Sequence, residues 1–231
     1  MCSAACRAKA VTSMTALGAP QAPVRQHGLS KSRIAAFEQC PKRLWLAVHR
    51  SDLAVVDAGA KMRFGVGHEA GAIACSLYPH GVMIEADPDL AAALESTRTL
   101  LASGNADVVF EATFAHDGIL VRVDIIEKDG AGGWRVAEVK SSTSVKDYHV
   151  GDLATQLWVM SRCGVTVSSA AIRHIDNSFV LKHVGDYAGL FIDAALGDDV
   201  ETAVCGRAEV IAAARLALVG PEPTHPTGDH C

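Results

Sequence analysis

Three charged residues on two neighbouring apolar segments have the types and spacing that suit metal-assisted hydrolysis. Asp124 lies in the segment ILVRVDII, and Glu138 and Lys140 end the segment WRVAEVK. Between them EKDGAGG, rich in Gly and Asp, predicts a turn that joins two strands into an antiparallel hairpin. Residues two apart in a strand share a face, which puts Glu138 and Lys140 side by side. We expect the first strand to end near Asp124, so that all three lie at adjacent strand ends.

This combination of side chains favours one chemistry. Carboxylate oxygens bind hard divalent cations such as Mg²⁺ or Mn²⁺. A bound cation can activate water and neutralise charge on a phosphodiester, and a nearby lysine can orient that water or stabilise developing negative charge. The alternative is a solvent-exposed hairpin with an ion pair between Glu138 and Lys140, and these three residues alone do not exclude it.

The flanking segments extend the pattern. VVFEATF, ahead of the hairpin, is predicted to form a strand that carries Glu111. After the hairpin, VKDYHVGDLATQLWVM is predicted to form an amphipathic helix, with Gln156 beside His149 and Asp152 and off the buried stripe. The stripe consists of Val150, Leu153, Ala154 and Leu157.

The ordered set E-A-x-F, R-V-D, E-V-K and then Q on the following helix resembles the RecB-like branch of the PD-(D/E)XK nuclease superfamily. This branch includes the CRISPR-associated single-domain nucleases and related uncharacterised bacterial nuclease domains. The resemblance covers the chain from Leu29 to Val180. It implies an α/β fold with a restriction-endonuclease-like core, in which helices flank a central mixed β-sheet of about four to five strands.

The resemblance also implies a role for each candidate residue. Lys140 would position or activate the attacking water, and Gln156 would orient Lys140 or the scissile phosphate. A histidine ligand would shift the metal preference from Mg²⁺ toward Mn²⁺. Because we expect Asp124, Glu138 and Lys140 at an open site, replacing each of them by Ala is expected to spare the fold. The expected metal ligands are His68, Glu111, Asp124, Glu138 and the backbone carbonyl of Val139.

His68 has a second interpretation. It lies in KMRFGVGHEAGAIACS, which is predicted to form a helix with His68 near its start. RecB-like nucleases commonly place a metal-binding histidine on a helix at this point. An exposed or hydrogen-bonded helix histidine would give the same sequence pattern.

The segment LSKSRIAAFEQCPKRLWLAVHR resembles the entry segment of the RecB-like nucleases. Ser30 or Ser32 is predicted to cap a helix that continues past Pro41. Its basic residues could contact backbone phosphates, although a solvated helix face would look the same. These residues are Lys31, Arg33, Lys42 and Arg43.

Two cysteines match part of a cluster motif. In the cluster-bearing relatives, a cysteine at the place of Cys40 is one of four ligands of an iron–sulfur cluster, and Cys231 stands where the next would be. A four-iron cluster takes four thiolates, so we expect a cluster only in a longer chain. A half-buried cysteine at Cys40, or a zinc site of Cys40 with His225 and His230, is the alternative.

The remaining segments read as packing elements. DPDLAAALESTRTLLASG predicts a helix with Asp87 as N-cap, Pro88 at its first position and Gly104 as its stop. VTVSSAAIRHID, which contains His174, predicts a strand at the edge of the sheet. The alanine-rich stretch from DYAGLFIDAALG to LALVG predicts one or two helices.

Composition limits the class of protein. The 231 residues are 49% hydrophobic, enough for one core of ordinary domain size. No apolar run approaches the roughly 18 to 20 residues that span a bilayer, so we expect a soluble protein. The net charge of −5 argues mildly against a nucleic-acid coat protein but does not exclude a nuclease. The seven scattered cysteines, without a secretory segment, indicate cytoplasmic thiols.

These observations predict three segments. Residues 1–27 lack acidic side chains and read as a flexible extension, an early start with Met14 as the true one, or an import leader. As the resemblance implies, residues 28–220 are expected to form a RecB-like nuclease domain, and residues 221–231 a C-terminal tail that is a candidate remnant of a cysteine-cluster region. The predicted function is a metal-dependent nuclease that hydrolyses DNA, with a helicase or defence-system proteins as candidate partners. The alternative is an inactive nucleic-acid-binding or assembly module that keeps the nuclease fold.

Overall fold

The computed structural model of the protein describes residues 28–54, 58–85 and 89–226. The predicted extension of residues 1–27, with Met14, lies outside these ranges. So do Asp87, Pro88, His230 and Cys231.

Seven helices and seven strands occupy the described residues. The helices are α1 (Lys31–Gln39), α2 (Pro41–His49), α3 (Ala58–Ser76), α4 (Leu90–Ser103), α5 (Asp147–Arg162), α6 (Gly197–Cys205) and α7 (Arg207–Val219). The strands are β1 (Leu29–Ser30), β2 (Val82–Met83), β3 (Val108–His116), β4 (Ile119–Lys128), β5 (Trp134–Lys140), β6 (Val167–Ile175) and β7 (Phe191–Ala195).

The strands form one mixed sheet, which confirms the α/β class. The order along the sheet is β2-β3-β4-β5-β6-β7, and β1 pairs with β4 beside this path. Strands β3, β4 and β5 form the predicted antiparallel series. Helix α5 connects β5 to β6, and these two strands run parallel, as a helical crossover allows.

The sheet is larger than the four to five strands predicted. It has seven, because FIDAA forms the strand β7 where the sequence predicted a helix, and because Leu29–Ser30 adds the short strand β1. Strand β7 pairs antiparallel with β6, so the prediction that β6 lies at the edge is wrong. Pairing with β6 outweighs the helical preference of the alanines in this segment.

Several element boundaries also differ from the predictions. The predicted single helix after Ser30 is two helices, because Cys40 adopts an extended conformation ahead of Pro41. The N-cap of α4 is Asp89, whose side chain accepts from Ala91 N–H at 2.9 Å. His68 lies in the middle of α3 and not near its start. The Ser30 cap of α1 is confirmed, since its Oγ accepts from Arg33 N–H at 3.3 Å.

Apolar side chains are buried on both faces of the sheet. Val136 belongs to the larger core cluster, and its neighbour Ala137 belongs to a smaller cluster on the opposite face, with Ala74, Phe110 and Ile125. Helix α5 packs into the larger core and buries Leu153 and Ala154 of its predicted stripe, whereas Val150 and Leu157 are half-buried. Gln156, predicted to lie off the buried stripe, is fully buried. None of the described helices is both long and apolar enough to cross a membrane.

Candidate active site

Glu138 is the centre of a buried network of charged and polar side chains. Its Oε1 accepts a hydrogen bond from Lys31 Nζ at 2.6 Å, and Lys140 Nζ lies 2.9 Å from the same oxygen. Its Oε2 accepts from Gln156 Nε2. Only 2% of Glu138 is exposed. The predicted neighbours Glu138, Lys140 and Gln156 therefore meet, but the carboxylate lies beneath two lysines and not at an open edge.

Asp124 lies beside Glu138 on the neighbouring strand. The β4–β5 pairing places Ile125 opposite Ala137, so Asp124 and Glu138 follow directly beyond this pair. Asp124 Oδ2 accepts a hydrogen bond from Val139 N–H at 2.7 Å. Strand β4 continues to Lys128, so Asp124 is within the strand and not at its end. The metal-binding role of the Val139 carbonyl remains a prediction.

The strand backbone is irregular where Glu111 and Asp124 meet. Phe110 and Ala112 flank Glu111 yet belong to different apolar clusters, and so do the residues that flank Asp124. In a regular strand residues two apart share a face, so the alternation breaks at both acids. Glu111 has φ of 54°, in the left-handed region that a non-glycine residue adopts at a cost. Strained backbone of this kind concentrates at functional sites.

The Glu111 carboxylate lies close to the guanidinium group of Arg122. Arg122 Nε lies 3.2 Å from Glu111 Oε2, and Arg122 Nη2 donates to Ile84 O at 3.2 Å. The register of β3 and β4 places Glu111 opposite Asp124, since Phe110 pairs with Ile125. The structure thus brings Glu111 to the predicted pair of acids, with Arg122 compensating its charge.

Helix α5 supplies three polar residues to one side of the site. Asp152 Oδ2 accepts from Lys140 Nζ at 2.6 Å, and Gln156 donates to Glu138. His149 is buried, and its Nδ1 accepts from Lys146 N–H at 3.1 Å. The positions 149, 152 and 156 are three and seven apart, which puts them on one helix face. This face meets the charged end of β5.

The two central carboxylates have opposite pKa shifts. Burial and the neighbouring Glu138 charge raise the pKa of Asp124 to about 8. Burial would also raise the pKa of Glu138, but Lys31 and Lys140 lower it to about 2. Burial and the charge of Lys140 lower the pKa of His149 to about 4, so that this ring is neutral near pH 7. Glu138 is therefore ionised, whereas Asp124 is short of compensating positive charge.

The donor chemistry of the two acids suits a hard divalent cation. A cation would supply the positive charge that Asp124 lacks, and carboxylate oxygens are the ligands that Mg²⁺ and Mn²⁺ prefer. Within residues 28–54, 58–85 and 89–226, no three His, Cys, Asp or Glu side chains already form a group that could hold a metal ion. In addition, protein donors engage both oxygens of Glu138.

Helix α3 brings a cysteine toward the acids, where the sequence predicted a histidine. Burial raises the pKa of Cys75 to about 11, and the charges of Glu111 and Asp124 act in the same direction. His68 lies exposed seven residues earlier. Two helical turns separate them, about 10 Å along the axis. The role of His68 as a metal ligand stays a prediction.

The basic residues of the entry segment have intramolecular partners. Lys31 contacts Glu138, Arg33 Nη1 donates to Gly28 O at 2.6 Å, and Lys42 Nζ lies 2.6 Å from Glu222 Oε1. Arg43 donates to Gln39. Lys31 is thus a residue of the candidate site and not of an open phosphate-binding face.

Cys40 is buried between α1 and α2, with 1% exposed. Of its proposed partners, His225 has Nδ1 3.1 Å from Pro226 O, and His230 and Cys231 lie outside the described residues, so the zinc and cluster sites stay predictions. Hydrogen bonds join α2 to the end of α7 instead. They run from Trp45 Nε1 to Gly220 O at 3.1 Å and from His49 Nε2 to Leu218 O at 2.9 Å.

Comparison with known proteins adds little. No protein-family model matches the sequence, and no curated protein matches it. A solved structure titled "Crystal structure of SSO0001" is 18% identical, and the alignment covers 82% of this chain and 78% of that one, with a TM-score of 0.30. So low a TM-score does not establish a shared fold.

Proposed function

We propose that the chain is a divalent-metal-dependent nuclease of the RecB-like PD-(D/E)XK type, which hydrolyses phosphodiester bonds of DNA. One observation carries the proposal. Asp124, Glu138 and Lys140, which resemble the signature of that superfamily, meet at one end of the β4–β5 hairpin, and Gln156 of the following helix bonds Glu138. The mixed sheet with a helical β5–α5–β6 crossover supports a restriction-endonuclease-like core.

The residues of the network around Glu138 would have different roles in hydrolysis. Asp124 and Glu138 would hold the metal, with Glu111 at the adjacent position of β3. When bound, Mg²⁺ or Mn²⁺ supplies Lewis acidity toward the phosphate and lowers the pKa of water. Gln156 holds Glu138 in position through its amide N–H.

Lys140 is the residue placed to act on the attacking water or on the phosphate. Asp152 orients its ammonium at 2.6 Å. Burial would lower the pKa of Lys140, but the charges of Glu138 and Asp152 outweigh burial and raise it. Lys140 therefore stays protonated near pH 7. It acts as a hydrogen-bond donor and positive charge toward the phosphate, and not as a general base.

A DNA-cleavage assay tests the proposal. Labelled single- and double-stranded DNA is incubated with the protein and Mn²⁺ or Mg²⁺, with EDTA and with a Lys140→Ala variant as controls. We expect cleavage that needs the metal and Lys140. Full cleavage in EDTA, or cleavage of neither DNA with either metal, would contradict the proposal.

The engagement of both Glu138 oxygens by protein donors favours a second candidate, an inactive DNA-binding or assembly module. A gel-shift measurement on the same DNA separates the two. Binding without cleavage, unchanged by metal, would identify the module.

A further inference from the structure

The Lys31 ammonium occupies the coordination space of the central carboxylate. Its Nζ donates to Glu138 Oε1 at 2.6 Å, and the same oxygen lies 2.9 Å from Lys140 Nζ. Gln156 takes the other oxygen. A divalent ion at Glu138 would have to share Oε1 with two ammonium groups or Oε2 with the Gln156 amide, and in either position it would lie close to both ammonium groups. Like charges so close together in a buried site repel strongly.

We propose that Lys31 competes with the divalent ion for Glu138, so that the protein binds metal only when the Lys31 ammonium leaves this carboxylate. This inference rests on the proposed function, because it concerns the same metal site. Lys31 therefore has a regulatory role. It neutralises the charge of Glu138 while the metal is absent, and metal binding is weaker because the ion must first displace the Lys31 ammonium.

The contacts of the two lysines show which one leaves. Lys140 is held at two points, by Glu138 and by Asp152 at 2.6 Å. Among the described residues, the Lys31 ammonium has one such contact, with Glu138. The exposed fractions of the two side chains, 22% for Lys31 and 19% for Lys140, are nearly equal, so the second contact of Lys140 makes the difference. A long, flexible lysine side chain with access to solvent can swing out without moving the backbone.

The backbone of Lys31 is fixed, so the exchange concerns the side chain. Lys31 follows β1, where Ser30 pairs with Leu120 of β4, and it is the first residue of α1. Ser30 also caps that helix. The Lys31 ammonium therefore returns to the same carboxylate whenever the metal leaves, and the competition is intramolecular.

Calorimetric titration with Mn²⁺ tests the competition directly. Lys31→Met removes the ammonium and keeps most of the apolar stem, and Lys61→Met, at an exposed position of α3, is the control for lost charge. We expect Lys31→Met to bind Mn²⁺ roughly 10- to 100-fold more tightly than the wild type, since a charge-assisted hydrogen bond no longer has to be broken. Lys61→Met should bind like the wild type.

The titration separates the two proposals. If the wild type binds Mn²⁺ and Lys31→Met binds it no more tightly, Lys31 is not a competitor and the metal site stands. If none of the three proteins binds Mn²⁺ or Mg²⁺, the metal-dependent function fails, and the competition fails with it.

A second measurement uses the wild type alone and does not depend on how the variant folds. Surface lysines are acylated with an activated ester, with and without saturating Mn²⁺, and the modified peptides are quantified by mass spectrometry. Displacement predicts that acylation of Lys31 increases several-fold on metal binding while that of Lys61 does not change. Equal acylation of Lys31 in both conditions would overturn the inference.

Discussion

At the scale of single residues, burial decides which substitutions can report on function. Glu138 is 2% exposed and compensates the charges of Lys31 and Lys140. Replacing it by Ala would leave two ammonium groups facing each other, which destabilises the fold as well as the site. The expectation that all three signature residues can be removed without harm therefore does not hold for Glu138.

Lys140→Ala is the clearer test of chemistry, because Lys140 is proposed to act on water and phosphate. We expect DNA cleavage to fall by about 100-fold or more, the loss typical when a charge-stabilising donor is removed. Mn²⁺ binding, followed by calorimetry, should persist because Asp124 and Glu138 remain. Lys182→Ala, at an exposed loop position, is the control. Cleavage at the wild-type rate by Lys140→Ala would remove it from the mechanism.

Asp124→Asn should stabilise the metal-free protein, and more so at high pH. The pKa of Asp124 is about 8 in the folded protein because of burial and Glu138, with Lys31 opposing and Glu111 adding to the shift. In the unfolded chain it is about 4. Between these values the folded state holds a proton that the unfolded state releases, so the contribution of Asp124 to stability falls as pH rises. Asn carries no charge and escapes this loss.

The effect of Asp124→Asn on stability is measured by thermal unfolding in EDTA at about pH 5 and about pH 8.5. These two values span most of the range between the unfolded and folded pKa of Asp124. The difference in Tm between Asp124→Asn and the wild type should be larger at the higher pH. Glu201→Gln, at an exposed position of α6, is the matched control substitution. A difference that shrinks as pH rises would mean that Asp124 is ionised and well compensated in the folded protein.

At the scale of elements, α5 connects the core to the site. It buries Leu153 completely, and Asp152 and Gln156 lie one residue before and three residues after it. Leu153→Ala should lower the free energy of unfolding by about 2–5 kcal/mol through lost burial and a residual cavity. Urea unfolding measures this loss. Leu216→Ala, 74% exposed on α7, should change it by less than about 0.5 kcal/mol.

Equal losses at the two leucines would mean that α5 is not packed as described. If Leu153→Ala is destabilised more than Leu216→Ala, the Mn²⁺ affinity of the Leu153→Ala variant measures how strongly packing of α5 in the core positions the metal ligands. We expect a weaker affinity even where the variant remains folded, since Gln156 holds Glu138.

The hydrophobic pattern of the sequence predicted those elements whose partners lie nearby in the chain. The β4–β5 hairpin and the α5 helix carry strong alternation and helical periodicity, and both are present. Strand β7 was missed because its alanines favour a helix and its partner β6 decides its conformation. Lys31 was misassigned for a related reason: it lies 107 residues from Glu138, and no local pattern reports such a contact. The sequence placed His149, Asp152 and Gln156 side by side on the helix but gave a role to Gln156 alone, although the same spacing also indicated Asp152 as a site residue.

At the scale of the whole molecule, the two faces of the sheet are covered unequally. One face carries the larger core, to which α5 contributes five of its eight buried residues. The other carries a small cluster, toward which α3 buries only Ala70 and Ala74 among 19 residues. The first half of α3 is exposed nearly throughout, including Met62 and Phe64.

This asymmetry predicts a difference in local stability. Free energies of local opening increase with the apolar contacts that must be broken, so α3 should open well below the global free energy of unfolding and α5 close to it. Hydrogen exchange followed by mass spectrometry compares both helices in one sample. Because Cys75 of α3 lies near Glu111 and Asp124, opening of α3 would also uncover the site, and Mn²⁺ should slow exchange at the end of the helix that carries Cys75. Protection of α3 equal to that of α5 would show that contacts beyond Ala70 and Ala74 hold this helix to the sheet.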